Sequence, residues 1–180
     1  MVIIYLIALA GTGKYTIAKE FTKYGYKIVD NHLINNPIFS LIECGVNPID
    51  ESAWQSVRQI REIVLDFALT LKTDLIFTNE LLNTTYDSKL YKKILQFAQK
   101  KKAIFVPVRL LISEEERIVR MNSVKRATKF KMTEDLRIIE GKKLDILFID
   151  HDNLLEINVT NLSAKNAAKQ ISNFVARILL

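Results

Sequence analysis

Residues 8–16 read Ala8-Leu9-Ala10-Gly11-Thr12-Gly13-Lys14-Tyr15-Thr16. A loop of this kind turns successive backbone N–H groups toward one point and ends at a helix N-terminus. Both features favour a polyphosphate. The spacing approaches the phosphate-loop signature G-x-x-x-x-G-K-[ST], in which the lysine reaches the β- and γ-phosphates and the following hydroxyl holds Mg²⁺. Two positions depart from it: Ala8 stands where the first glycine belongs, and Tyr15 stands where the metal-binding hydroxyl belongs, with Thr16 one place later. Lys14 is therefore the candidate phosphate-binding cation, and Gly11, Thr12, Gly13, Tyr15 and Thr16 complete the cradle.

Phosphoryl transfer to an alcohol needs few further parts: a metal, cations for the charge on the transferred group, and a carboxylate to orient the acceptor hydroxyl. Polar clusters elsewhere supply candidates. Asp30-Asn31-His32 offers the carboxylate in Asp30, with Asn31 and His32 as substrate contacts. Asn79 and Glu80 form a second pair, and Glu80 is placed to hold Mg²⁺ through its waters, because Mg²⁺ usually keeps several. Thr160 and Asn161 form a third. The cations come from Arg117, Arg120, Lys125, Arg126, Lys129 and Lys131, a stretch with no acid in it. Such a segment is expected to close over ATP as a lid spanning about residues 117–132.

The elements that would position these groups follow from periodicity. Val2 to Ile7 is uncharged and β-branched, as in a strand buried on both faces. Ile17, Ala18, Phe21 and Tyr24 then recur at helical spacing, and Gly25 ends that helix. A second strand is expected over Tyr26–Asp30. A helical pattern over residues 33–43 is broken by Pro37. The longest helix is expected over Asp50–Lys72, with Trp54, Val57, Ile60, Val64, Phe67 and Leu71 on one face. A third strand follows over Asp74–Thr78, a helix over Tyr86–Lys101, and a fourth strand over Ala103–Leu111. Pro107 marks that strand as an edge or a bulge. Ser113-Glu114-Glu115-Glu116 is a capping box, a further helix begins near Thr133, Leu154–Val159 is the fifth strand, and Ser163 caps the last helix. Strands alternating with helices imply a parallel sheet covered on both faces. Ligands of such sheets lie outside the carboxyl ends of the strands, and every polar cluster named above follows a strand.

At 180 residues and 49% hydrophobic composition the chain is expected to form one domain, residues 1–180, with a sizeable core. No apolar stretch approaches the roughly 18 residues that span a bilayer. The single Cys44 excludes an intrachain disulfide and fits a reducing, cytoplasmic setting. The net charge of +6 is uneven. Residues 89–131 carry thirteen Lys/Arg against three Asp/Glu, while the two flanking segments are slightly acidic. A basic region invites a nucleic-acid reading, but only Phe130 interleaves the basic run, so stacking platforms for single strands are missing.

With these residues in view, the chain resembles the P-loop small-molecule kinases of the shikimate kinase, gluconate kinase and adenylate kinase group. Gly11-Thr12-Gly13-Lys14-Tyr15-Thr16, Val29-Asp30-Asn31-His32 and the basic run after Ser113-Glu114-Glu115-Glu116 carry the likeness. The resemblance implies a three-layer α/β/α sandwich around a five-stranded parallel sheet in the order 2-3-1-4-5, with ATP and Mg²⁺ at the P-loop. It also implies an acceptor pocket over the second and third strands and an arginine-bearing lid. By position, Lys14 matches the P-loop lysine and Asp30 the acidic residue that contacts the acceptor hydroxyl. Arg120 and Arg126 fall where lid arginines act in catalysis. Thr16 matches the hydroxyl that touches the α-phosphate. Thr160-Asn161-Leu162-Ser163 resembles the loop against adenine. Arg58 and Arg61 lie on the long helix that would line the acceptor site.

Three functions remain open on sequence. The first is an ATP-dependent kinase acting on a hydroxyl of a small metabolite. The second is a nucleotide-binding protein with little or no catalysis, which Tyr15 favours. The third is a kinase of nucleic-acid ends, which the basic segment favours.

Overall fold

The computed structural model describes residues 1–42, 49–122 and 145–180. Five strands, β1 (Val2–Ile7), β2 (Lys27–Asp30), β3 (Leu75–Asn79), β4 (Ile104–Leu111) and β5 (Leu155–Asn158), form one sheet in the order β2-β3-β1-β4-β5. All four pairings are parallel. The helices are α1 (Lys14–Lys19), α2 (Asn31–Phe39), α3 (Glu51–Thr70), α4 (Thr85–Lys100), α5 (Glu114–Met121) and α6 (Ala164–Ile178). This is the three-layer α/β arrangement, with the sheet order, that the resemblance to P-loop kinases implies.

The pleat sorts β1 between two cores. Val2, Ile4, Leu6 and Ala8 join Ile17, Phe21, Ile171 and Val175 under α1 and α6. Ile3, Tyr5 and Ile7 join Leu65, Leu90, Ile94 and Phe97 under α3 and α4. Successive side chains of a strand point to opposite faces, so a strand buried on both sides must be apolar at every position, and β1 is. A smaller cluster of Ile34, Phe39 and Val57, with Trp54 against it, joins α2 to α3.

Two local expectations are corrected. Helix α2 begins at Asn31 and runs through Pro37 to Phe39, because Asp30 caps it three residues ahead of the apolar pattern. Strand β4 lies inside the sheet, between β1 and β5, and carries Pro107 as an ordinary member paired with Tyr5. The hydrogen-bond directions explain this. Ile104 N–H donates to Met1 on the β1 side, whereas the Phe105 carbonyl accepts from Asn153 Nδ2, and the Leu111 carbonyl from Val159 N–H, on the β5 side. Alternation therefore aims position 107 at the β5 side, and the β4–β5 pairing starts only at Val108. The donor that proline lacks would have had no ladder partner.

The lid expectation is corrected at its start. Residues 117–121 complete α5, and Arg117 is buried within it. The rest of the expected lid, with Lys125, Arg126, Lys129 and Lys131, lies outside the described residues, as do the helix near Thr133 and Cys44.

Candidate active site

The loop after β1 enters α1 through two glycines held at positive φ, Gly11 at 90° and Gly13 at 98°, with Gly13 as the N-cap. At Gly11 the neighbours forbid a side chain as firmly as the dihedral does: a Cβ there would lie 2.7 Å from Met121 Cγ and 3.1 Å from Arg117 Cγ. Helix α5 therefore packs directly on the cradle, and Arg117 is part of that support, with NH1 3.3 Å from Met121 Sδ. Thr12 is fully buried and its hydroxyl donates to the Leu9 carbonyl at 2.9 Å. Lys14 Nζ donates to the carbonyls of Ala8 and Leu9 at 2.8 and 2.9 Å, folded over the loop it serves. Amides in the first turn of a helix have no intrahelical acceptor, so the chain entering α1 is shaped for anionic oxygens.

On the far side of this loop, Arg120 binds two segments at once. Its Nε is paired with Glu116 at 2.7 Å, NH1 donates to the Thr12 carbonyl at 3.2 Å, and NH2 donates to the carbonyls of Val159 and Thr160 at 3.1 and 3.0 Å. Thr160 in turn accepts the Ser113 N–H at 2.9 Å. Arg120 therefore ties the cradle to the loop of Thr160 and Asn161. Arg120, expected as a catalytic cation, donates here to Glu116 and to three carbonyls.

A cavity of about 390 Å³ opens beside the cradle, lined by Asn31, Arg58, Arg61, Asn79 and Glu80 among the expected residues. Its size falls within the usual range for small-molecule sites. Arg61 is 6% exposed and donates from NH2 to Asn31 Oδ1 at 2.9 Å, the same oxygen that accepts from Asn79 Nδ2 at 2.9 Å. Arg58 is ion-paired with Glu51. That carboxylate holds the Arg58 guanidinium further above its ordinary value, chiefly through their hydrogen bond. Burial pushes the Tyr5 phenol strongly upward, against a smaller lowering by Arg61.

Glu80 joins the two halves. It lines the cavity, and its Oε1 accepts the Ala10 N–H of the phosphate loop at 3.0 Å.

Asp30, expected to face the acceptor, is held by structural contacts. It is 4% exposed; Oδ1 accepts from the N–H groups of His32 and Leu33 at 3.0 and 3.3 Å, and Oδ2 accepts the Thr78 hydroxyl at 2.6 Å. A carboxylate used as an N-cap and by a buried hydroxyl has little left for a substrate. Neither Asp30 nor His32 lines the cavity.

The sequence reading missed Glu51, Trp54, Leu82, Tyr86, Asp87 and Leu90 on the cavity wall. A signal for part of them exists: Trp54, Arg58 and Arg61 recur at i, i+4 and i+7 on α3, one face of one helix. Thr84 and Asp87 carry another, since the Thr84 hydroxyl caps α4 by accepting the Asp87 N–H.

Mg²⁺ fits these donors only loosely. Tyr15 offers a half-buried ring beneath Lys19 Nζ, 5.2 Å from its centroid, in place of a small hydroxyl. Thr16 is exposed, and the described residues contain no cluster of three or more His, Cys, Asp or Glu that could cage a metal. Of the wall carboxylates Glu51, Glu80 and Asp87, Glu80 is the one bonded to the phosphate loop, and it would hold the ion through its waters. The basic helix face is partly spent: Lys93 pairs with Glu62, and buried Lys101 donates to the carbonyls of Ala68, Leu69 and Leu71. No helix among the described residues is long and apolar enough to cross a membrane.

No family model and no curated protein matches the sequence. Solved structures do match in shape. A sugar kinase from Janibacter sp. HTCC2649 superposes with a TM-score of 0.62 at 13% identity, covering 98% of this chain and 95% of the other. A gluconokinase from Sinorhizobium meliloti 1021 gives 0.59 at 15% identity, covering 98% and 93%. The Mycobacterium tuberculosis APS kinase CysC, in complex with AMPPNP and APS, gives 0.58 at 11% identity, covering 97% of both chains. With its parallel sheet order and its glycine-shaped cradle after β1, the chain has the fold of the P-loop small-molecule kinases.

Proposed function

We propose that this chain is an ATP-dependent kinase that moves the γ-phosphate of ATP to a hydroxyl of a small metabolite held in the cavity beside the phosphate loop. The observation that carries this reading is Glu80, whose one carboxylate bonds the loop at Ala10 and lines the cavity. Donor and acceptor sites share that wall, which is what in-line transfer requires.

The residues divide the work. Gly11 to Thr16 bind the triphosphate, with Lys14 leaving the Ala8 and Leu9 carbonyls for phosphate oxygens. Thr160 and Asn161 border the base, held to the cradle by Arg120. When bound, Mg²⁺ would supply charge neutralisation on the transferred group. Glu80 orients the acceptor hydroxyl and takes its proton, while Asn31, Asn79, Arg58 and Arg61 hold the rest of the acceptor. Arg126 remains a proposed lid cation.

Calorimetric titration with ATP and Mg²⁺ tests the nucleotide half. Lys14→Ala is expected to weaken ATP by about tenfold to a hundredfold, the worth of a charge-assisted hydrogen bond to phosphate. Unchanged affinity would remove the P-loop from the account.

A second reading, nucleotide binding with little catalysis, is favoured by one observation: Tyr15 occupies the metal-hydroxyl position. Tyr15→Ser separates the two. If the chain is a kinase limited by its metal, the serine variant reaches half-maximal ATP turnover at a Mg²⁺ concentration several-fold lower. A chain that binds ATP yet turns over no polyol, sugar or cyclic acid in either form is a binding protein.

A further inference from the structure

The phosphate loop leaves β1 at the middle of the sheet, so a bound triphosphate has two ways out. On one side, β3 leads to Glu80 and the cavity. On the other, past β4, lies the loop after β5, residues 159–162, which Arg120 holds to the cradle through Thr12 and Thr160. With the acceptor in the cavity, the nucleoside takes the second way. A loop tells adenine from guanine by hydrogen bonding, because the two bases present opposite groups at one edge. Adenine offers an amino donor beside an unprotonated ring nitrogen, and guanine a carbonyl oxygen beside a ring N–H. Fixed backbone carbonyls at that edge would select adenine. Here they are already taken. The Val159 carbonyl accepts from Arg120 NH2 at 3.1 Å and from the Leu162 N–H at 3.3 Å, which fills both its lone pairs. The Thr160 carbonyl accepts from the same NH2 at 3.0 Å. The Thr160 N–H donates to Asn158 Oδ1 at 3.0 Å, and the Thr160 hydroxyl oxygen accepts the Ser113 N–H at 2.9 Å. What the loop still offers is Asn161, which is exposed and joins no hydrogen bond among the described residues. Its side-chain amide carries an acceptor oxygen and a donor nitrogen, and half a turn about the last torsion exchanges them.

We propose that Asn161 is the base-contacting group of the nucleotide site and that, by turning its amide, it accommodates adenine and guanine alike, so that the chain takes either purine nucleoside triphosphate as phosphoryl donor. This rests on the nucleotide half of the kinase reading and adds the breadth of the donor to it. Strong selection by hydrogen bonding needs fixed polar groups that the wrong partner leaves unpaired. Thr160 and Val159 have spent theirs on Arg120 and on their own neighbours. An exposed, rotatable amide leaves neither base unpaired, and a misfit at that position is repaired by water. Arg120 is thus the residue that removes base selection, while its contact with Thr12 keeps the base loop beside the phosphates.

The test is calorimetric titration of the full chain, in excess Mg²⁺, with AMPPNP, GMPPNP and inorganic tripolyphosphate. The two nucleotides are expected to bind within about fivefold of each other, and each about tenfold or more tightly than tripolyphosphate. Asn161→Ala weakens both nucleotides by the same factor, about threefold to tenfold, the worth of a neutral hydrogen bond, and leaves tripolyphosphate unchanged. The melting temperature of the variant is measured alongside. Should Asn161→Ala fail to fold, the ranking of the three probes on the unmodified chain decides. A preference beyond about fivefold for either base overturns the proposal. So does an Asn161→Ala variant that binds both nucleotides as before or loses only one of them. Tripolyphosphate binding as tightly as the nucleotides overturns the base site and leaves the phosphate cradle. Failure of all three probes to bind overturns the nucleotide reading itself, and the kinase reading with it.

Discussion

Glu80→Gln lowers kcat by about 10²- to 10⁴-fold, the usual weight of a positioned general base, while ATP affinity changes by less than about threefold. The substitution is nearly isosteric and its amide oxygen can still accept the Ala10 N–H, now at 3.0 Å from Glu80 Oε1. The phosphate loop therefore keeps its shape. What is lost is the charge at the wall shared by loop and cavity. Steady-state kinetics at saturating ATP, over a series of Mg²⁺ concentrations, separates two roles for that charge. A rate deficit that persists at every Mg²⁺ concentration places the carboxylate on the acceptor hydroxyl. A deficit that high Mg²⁺ repairs places it on the metal's waters instead. Equal loss in ATP affinity and in kcat would show that Glu80 merely supports the loop.

Asp30→Ala destabilises the fold by about 2–4 kcal/mol, combining a lost N-cap with buried donors left unsatisfied. In the native chain one carboxylate serves three donors, the amides of His32 and Leu33 and the Thr78 hydroxyl. All three lose their acceptor in the alanine variant, and Thr78 is 1% exposed, too deep for water to replace it. Urea unfolding monitored by circular dichroism measures the loss as a lower midpoint at unchanged slope. Asp30→Asn keeps one oxygen for the two amides and is expected to cost less than half as much. Turnover per folded molecule stays within about threefold of the unmodified chain for Asp30→Asn. A hundredfold fall in kcat at unchanged stability would return Asp30 to the acceptor site.

These two carboxylates show where sequence patterns inform and where they mislead. Asp30 ends β2 and Glu80 follows β3, both at carboxyl ends of strands, and by type and place they are equal candidates. Their fates differ through contacts with residues far away in sequence. Thr78 takes one oxygen of Asp30, and Ala10, seventy positions from Glu80, takes one of Glu80. The same holds for the arginines. Arg120 lies where a lid cation is expected, yet Thr12 and Thr160 claim its guanidinium across 108 and 40 positions. Arg58 and Arg61 look alike on one helix face, but Glu51 neutralises the first, and no acid among the described residues pairs with the second.

The sequence by itself determined the sheet and the cradle. A strand buried on both faces has to be continuously apolar, so Val2–Ile7 declared itself, and a backbone turned to positive φ at Gly11 and Gly13 has to lack side chains. Such constraints act within a few residues and are written locally. Only the tertiary structure decided which polar groups remain available for a ligand. Hydrogen bonding and charge pairing are exclusive, and a donor or carboxylate satisfied by a distant segment is no longer offered to a substrate. By that exclusion Asp30 and Arg120 are engaged by distant segments, while Glu80 lies between the phosphate loop and the cavity.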